Sequence, residues 1–265
     1  MKRKSPNITK IETTFLANKI WSCSAIVLVI LLWQTICSLK LVDSFLLPSP
    51  LKVVQAFIEE FPDLMEHSVV TLAEAFWGLG LGILFGFVMA VLMDQFQGLY
   101  KAFYPLIVLT QTIPTVAIAP LLVLWFGYEM TPKVILIVIT TFFPITIGLL
   151  NGFQSADKDS IHLLRAMGAG RWQIFCHIKL PGAMSQFFAS LRISASYAVV
   201  GAVISEWLGG FNGLGVYMTR VKKAYAFDKM FAVIFLISII SLLLMKSVDL
   251  LQKKCMPWEE KEKKG

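Results

Sequence analysis

Asp157 to Pro181 reads DKDSIHLLRAMGAGRWQIFCHIKLP. It is a polar, basic island of 25 residues between long apolar runs. Lys158, Arg165, Arg171 and Lys179 place it on the cytoplasmic face of a membrane protein, because short cytoplasmic loops collect Lys and Arg. Ile161, Leu164 and Gly168 fall at helical spacing, as do Trp172, Phe175 and Lys179, so the island is expected to form two short helices. Gly168 and Gly170 between them allow a sharp turn, since glycine tolerates positive φ. Pro181 is expected to end the second helix. Two readings stay open: a docking element lying across the cytoplasmic face, or a basic loop that only fixes topology.

Outward from the island the chain is built for a bilayer. It is 57% hydrophobic and 15% charged, against about 25% charged in soluble domains, and its mean hydropathy is +0.71. The expected fold class is an all-α membrane protein with six transmembrane helices. The spans are Ile20–Leu39, Ser68–Met93, Tyr100–Phe126, Lys133–Phe153, Phe187–Leu208 and Met230–Leu250, most of them about 20 residues or longer, as roughly 30 Å of hydrocarbon requires. This divides the chain into a cytoplasmic segment 1–19, a first span with an outer interfacial helix over 20–67, a core over 68–250 and a cytoplasmic tail 251–265. The 24 Lys and Arg split 17 inside to 7 outside on this topology, which puts both termini in the cytoplasm. The net charge of +7 sits at the ends and in the island, so topology explains it without nucleic acid. The 4 cysteines never pair on one outer loop and are expected to be reduced.

Several stretches carry finer signals. Ser49 is placed to cap a short helix opened by Pro50, with Val53, Val54, Phe57, Ile58 and Phe61 as its apolar stripe. Gly78, Gly82, Gly86 and Ala90 recur every four residues and let a second helix backbone approach closely. Pro105, Pro114 and Pro120 interrupt the third span. Gln111, Thr112 and Thr115 surround Pro114, so this region either lines a wet pathway or is kinked packing. Thr140 and Thr141 lie near mid-depth in the fourth span. Ser190, Ser194, Ala198 and Ala202 form a second small-residue stripe, which packs tightly or lines a narrow path. Gly209 to Lys229 is expected to be an outer loop, glycine-rich at Gly213 and Gly215. Its cations Arg220, Lys222, Lys223 and Lys229 oppose the positive-inside bias. They suit docking of a protein, attraction of an anionic solute, or a merely solvated loop.

Catalytic chemistry is missing. No G-x-x-x-x-G-K-[ST] run exists, so the chain has no P-loop. His67, His162 and His177 show no metal-ligand spacing. Glu74 and Glu206 lie near the outer ends of their spans rather than at the bilayer centre, so an ion-coupled carrier fits poorly. No catalytic residue, metal or cofactor is expected in this chain.

Gly168, followed by nine residues and then Ile178-Lys179-Leu180-Pro181, resembles the second half of the EAA loop of bacterial ABC-importer permeases. His162, Leu163 and Leu164 stand where that loop has Glu-Ala-Ala. From about Leu47 onward the order of features is similar to the sulfonate/nitrate/taurine-type branch. It runs through Leu47-Pro48-Ser49-Pro50, Pro114 to Pro120, Trp125-Phe126-Gly127, Phe143-Pro144 and Glu206 with Gly213-Leu214-Gly215. Ser205 to Gly210 and Gly213 to Met218 look more like permeases for thiamin pyrimidine precursors, with an alkanesulfonate, taurine or nitrate importer as the alternative. The resemblance implies a type I ABC-importer permease fold in the bacterial inner membrane. It implies a second permease subunit, normally a second copy, two ATP-binding subunits that carry the ATP and magnesium, and an extracytoplasmic solute-binding protein. It also implies that His162, Leu163, Leu164, Arg165, Ala166, Gly168, Ile178, Leu180 and Pro181 couple to the ATPase. Gln111, Thr112, Pro114, Thr115, Thr141, Ser194, Ala198 and Glu206 are the expected pathway residues.

Overall fold

A computed structural model describes residues 8–257. The first seven residues of the expected segment 1–19, residues 258–265 of the expected tail and the Cys23 side chain lie outside the described residues. Among the described residues every regular element is helical. The first helix, α1 (Ile8–Ser38), begins well before the apolar run at Ile20, because no Pro or Gly interrupts the chain between them. Then α2 (Pro50–Glu59) opens as expected: the Ser49 hydroxyl accepts from Lys52 N at 3.4 Å, and Pro50 takes the first position. Val53 and Ala56 are buried against Ala232 and Phe231, whereas Val54, Ile58 and Phe61 are exposed.

The next helix, α3 (Phe61–Gln95), starts seven residues before the expected Ser68. Pro62 sits in its first turn, where the missing N–H has no partner to lose. A single residue, Phe96, separates α3 from α4 (Gln97–Thr112). The expected third span is a bent pair: α4 and α5 (Thr115–Phe126) meet at 98°. Ile113 precedes Pro114 and is held extended, with ψ 121°, which ends α4. Pro105 and Pro120 sit inside α4 and α5 without ending them.

After α6 (Met130–Gln154) and α7 (Lys158–Ala166), the helix does not stop at Pro181. Instead α8 (Arg171–Ile174), a π-turn (Phe175–Lys179) and α9 (Leu180–Leu208) run on as one 38-residue helix. In the π-turn Leu180 N–H reaches back to Phe175 O. That widened turn makes room for a proline ring which would otherwise press on the preceding turn. The expected outer loop contains a helix, α10 (Leu214–Lys223), before α11 (Phe227–Cys255). Its Leu214, Tyr217 and Val221 are buried at helical spacing beside Leu64, Val199 and Val233. Among the described residues four helices are long and apolar enough to cross a membrane, and the bent pair makes a fifth. The described apolar stretch of α1 is Ser24–Ser38.

The core sits around α6, between α3 and α9. On one side Gly78, Gly82 and Gly86 receive Ile137, Thr141 and Ile145, so a groove of three glycines takes a ridge of three β-branched residues. On the other side the groove belongs to α6: Gly148 and Gly152 receive Ser190 and Ala183 of α9. Thr146 Oγ1 donates to Gly86 O at 3.4 Å, and Ser194 Oγ donates to Thr141 O at 3.3 Å. Removing side chains from one helix brings its backbone within hydrogen-bonding reach of the next, the usual way helices associate in lipid.

Candidate functional site

At one end of the bundle α7 stands clear of the core. None of its residues is buried, and Leu163 and Met167 are 62% and 77% exposed. The helix is nevertheless well defined at both ends. Asp157 caps it by accepting from Ser160 N at 3.0 Å and from the Ser160 hydroxyl, which holds its carboxyl below the usual carboxylate range. Gly168 turns the chain with φ +86°. Gly170 keeps φ −73° and serves as the N-cap of α8, so only one of the two glycines supplies a left-handed residue. Below the turn Phe175 is buried and packs edge-on against Phe153 of α6, with centroids 5.2 Å apart. Trp172 stacks on the same Phe175 at 5.3 Å. Lys179 Nζ donates to both Asp94 oxygens, at 2.7 and 2.9 Å. The exposed helix is thus mounted on a foot fixed to α3 and α6. His162, Leu163, Arg165, Ala166, Gly168 and Pro181 are exposed; Leu164, Ile178 and Leu180 are half-buried in the mounting.

A cavity of about 210 Å³ opens at the bend between α4 and α5. Its polar lining comes from Thr110, Gln111, Thr115, Thr140 and Tyr197, and Gly201 lines it as well. No charged side chain lines it. Of the expected pathway residues, Gln111 and Thr115 are here; Thr112 and Pro114 are exposed beside it but do not line it. Thr141, Ser194 and Ala198 are fully buried between helices and Glu206 is 1% exposed, so none of the four lines this cavity. A small residue serves equally to make a path or a tight contact, so spacing alone picked the packed face. Thr140 and Tyr197, on neighbouring faces of the same helices, are the residues that reach the cavity.

At the opposite end of the bundle lies a buried polar constellation that the sequence reading missed. The first turn of α10 has no cap from its own sequence. Its orphan N–H groups are met from elsewhere in the chain. His67 Nδ1 accepts from Gly213 N at 3.0 Å, so His67 is the neutral tautomer with its proton on Nε2. Thr71 Oγ1 accepts from Leu214 N at 2.9 Å and donates to Glu206 Oε1 at 2.7 Å. Glu206 Oε2 accepts from Gly215 N at 2.6 Å. A carboxylate against a helix N-terminus is favourably placed in the helix field. Glu206 therefore caps α10, and Gly213 is needed twice: its φ is +126°, and a Cβ there would collide with the Glu206 carboxyl. One turn along α3, Glu74 pairs with Lys133 of α6 at 2.6 Å, both buried.

Outside this plug the cations divide. Lys229 is paired with Glu60, which also accepts from the Tyr217 hydroxyl at 2.7 Å. These two donors hold the Glu60 carboxyl below the usual range. Arg220, Lys222 and Lys223 are exposed in the last turn of α10, where the negative end of the helix dipole favours them.

Residues 82–257 match the family described as the binding-protein-dependent transport system inner membrane component. This chain belongs to that family. It is 35% identical, over 89% of its length and 94% of the relative's, to the formylaminopyrimidine transport permease protein ThiX of Halalkalibacterium halodurans. It is 28% identical over 89% of both chains to the taurine transport system permease protein TauC of Escherichia coli. Aliphatic sulfonate and nitrate permeases are further relatives, which places it in the sulfonate/nitrate/taurine-type branch. Its fold is shared with a solved amino acid ABC transporter, with TM-score 0.63 and 16% identity over 76% of this chain and 97% of that one. The protein is a multi-pass ABC-importer permease subunit of the bacterial inner membrane.

Proposed function

We propose that this permease subunit forms, with a second copy of itself, the pathway for an uncharged heterocycle of the aminopyrimidine class. The observation that carries this reading is the cavity at the α4–α5 bend. Its lining offers an amide, hydroxyls and one phenol ring but no cation. A sulfonate or nitrate ion leaving water would need a compensating charge there. A neutral ring can stack on Tyr197 and exchange hydrogen bonds with Gln111 and Thr115. The formylaminopyrimidine relative supports the same class of solute.

In this reading α7 faces the cytoplasm and seats in one of two ATP-binding subunits, which hold the ATP and magnesium. An extracytoplasmic binding protein delivers solute at the α10 end. The exposed Leu163 and Met167 on a fixed foot support the docking role. A second reading, import of a sulfonate, draws support from Arg220, Lys222 and Lys223 at the α10 end. Proteoliposomes carrying the permease, its ATPase and its binding protein separate the two. The aminopyrimidine reading expects ATP-driven uptake of labelled formylaminopyrimidine that excess taurine leaves unchanged, and a severalfold loss in Gln111→Leu. Uptake of taurine but not of the pyrimidine would overturn it.

A further inference from the structure

Two hydroxyls of the cavity at the α4–α5 bend are less versatile than their residue type suggests. Thr110 and Thr140 both line it, and both are half-buried. The Thr110 hydroxyl donates to Ile107 O at 2.7 Å, and the Thr140 hydroxyl donates to Ile137 O at 2.9 Å. A carbonyl oxygen only accepts, so the direction of both bonds is fixed. Each hydroxyl has one hydrogen, and each turns it back into its own helix, as threonine readily does there. What each oxygen has left for a solute is lone pairs. Swinging either hydroxyl round to donate to a solute would break a bond already made.

This polarity acts as a filter. A solute oxygen, or a ring nitrogen without hydrogen, meets lone pair against lone pair at these two positions. An N–H group meets an acceptor. The exocyclic amino group of a pyrimidine carries its hydrogens in the plane of the ring, so it can present one of them while the ring lies against Tyr197. Gln111 keeps both donor and acceptor and can serve a ring nitrogen. A sulfonate group or a nitrate ion has only oxygens to offer, a ground for its exclusion separate from the missing cation.

We propose that Thr110 and Thr140 determine specificity as fixed acceptors, selecting solutes that present N–H donors. The proposal rests on the reading that this cavity belongs to the solute pathway, and its test is kept apart from transport. The full-length permease with its ATPase partner is held in nanodiscs. Saturation-transfer-difference NMR measures binding of 4-aminopyrimidine and of 4-methylpyrimidine, which has the same shape and no N–H. Nanodiscs without protein set the background. The amino compound is expected to bind about 5-fold more tightly, the net effect of one hydrogen bond, or more if both acceptors engage. Thr110→Val with Thr140→Val keeps the shape and removes both acceptors, and should bring the two Kd values within about 2-fold of each other. Thr110→Ser with Thr140→Ser keeps both acceptors and should hold the preference. Equal binding of the two compounds by the wild-type protein overturns the proposal, whether or not the Val variant folds. A preference that survives in the Val variant overturns it in favour of Gln111. Preference for the amino compound alongside ATP-driven uptake of taurine alone would sink the aminopyrimidine reading of transport and leave the acceptor assignment standing.

Discussion

Gly82 offers a sharp test of how this bundle is held together. A Cβ built there would overlap Thr141 Oγ1 and lie 3.2 Å from Thr141 Cβ. Thr141 cannot step aside, because it is fully buried and its hydroxyl donates to Ile137 O at 2.8 Å. Gly78 and Gly86 are equally tight against Ile137 and Ile145, so α3 cannot tilt away at one point only. Overpacking a well-filled core costs about 1 to 3 kcal/mol. With three contacts in register, Gly82→Leu should fall at about 3 kcal/mol or above, a large part of the roughly 5 to 15 kcal/mol that holds a domain folded. Gly80→Leu is the control: it lies on the same helix, with nothing within 4 Å of its Cβ. The assay is thermal unfolding in detergent, followed by loss of the monodisperse peak in size-exclusion chromatography. Gly82→Ala combined with Thr141→Ala should recover most of what Gly82→Ala alone loses, a coupling of at least about 1 kcal/mol in a double-mutant cycle. Equal melting of the Gly80→Leu and Gly82→Leu proteins, or no coupling to Thr141, would refute the groove-and-ridge account.

Gly168→Val should leave folding intact but abolish ATP-driven uptake, because φ +86° costs a β-branched residue about 1–2 kcal/mol or more and α7 must reorient to escape it; binding of the ATPase by pull-down and uptake in proteoliposomes read the two effects. Glu206→Ala removes the acceptor for Gly215 N and Thr71 Oγ1, should cost about 1 to 3 kcal/mol, and should raise amide exchange over Leu214–Val221 before it affects the α7 end. The Glu60 carboxyl is held low by its bonds from Lys229 and Tyr217. Its stabilisation is therefore fully present above the ordinary value near 4.5 and lost as pH falls through the lower folded value. Melting temperature should drop below pH 4.5 more steeply in the wild-type protein than in Glu60→Gln.

Much of this architecture could be read from the amino acids, for identifiable reasons. The long apolar runs and their polar breaks follow from bilayer thickness, and the glycine period of α3 follows from helical geometry. The capping of α2 by Ser49 and the turn at Gly168 are local chemistry, complete within a few residues. What escaped notice is non-local. Two of the caps of α10 come from 146 and 143 positions away, His67 to Gly213 and Thr71 to Leu214, so a glycine-rich stretch looked like a loop. Pro181 signals a helix end only if the preceding turn is an ordinary one, and a π-turn cannot be seen in FCHIK. Thr140 and Thr141 are adjacent and chemically identical. Only the packing of α6 decides that one faces a cavity and the other a glycine.

The unbroken helix from Arg171 to Leu208 has a mechanical consequence. At 1.5 Å per residue its 38 residues make a rod about 57 Å long. One end is seated under α7 and the other delivers Glu206 to the start of α10. A rod of that length turned by about 5° at its seat moves its far tip by about 5 Å, close to one helical turn. A displacement of that size exceeds what the hydrogen bonds donated to Glu206 by Thr71 and Gly215 can stretch to meet. Tilting the seat and unfastening the far plug thus become one event, and the π-turn is the place along the rod where that motion could be absorbed instead.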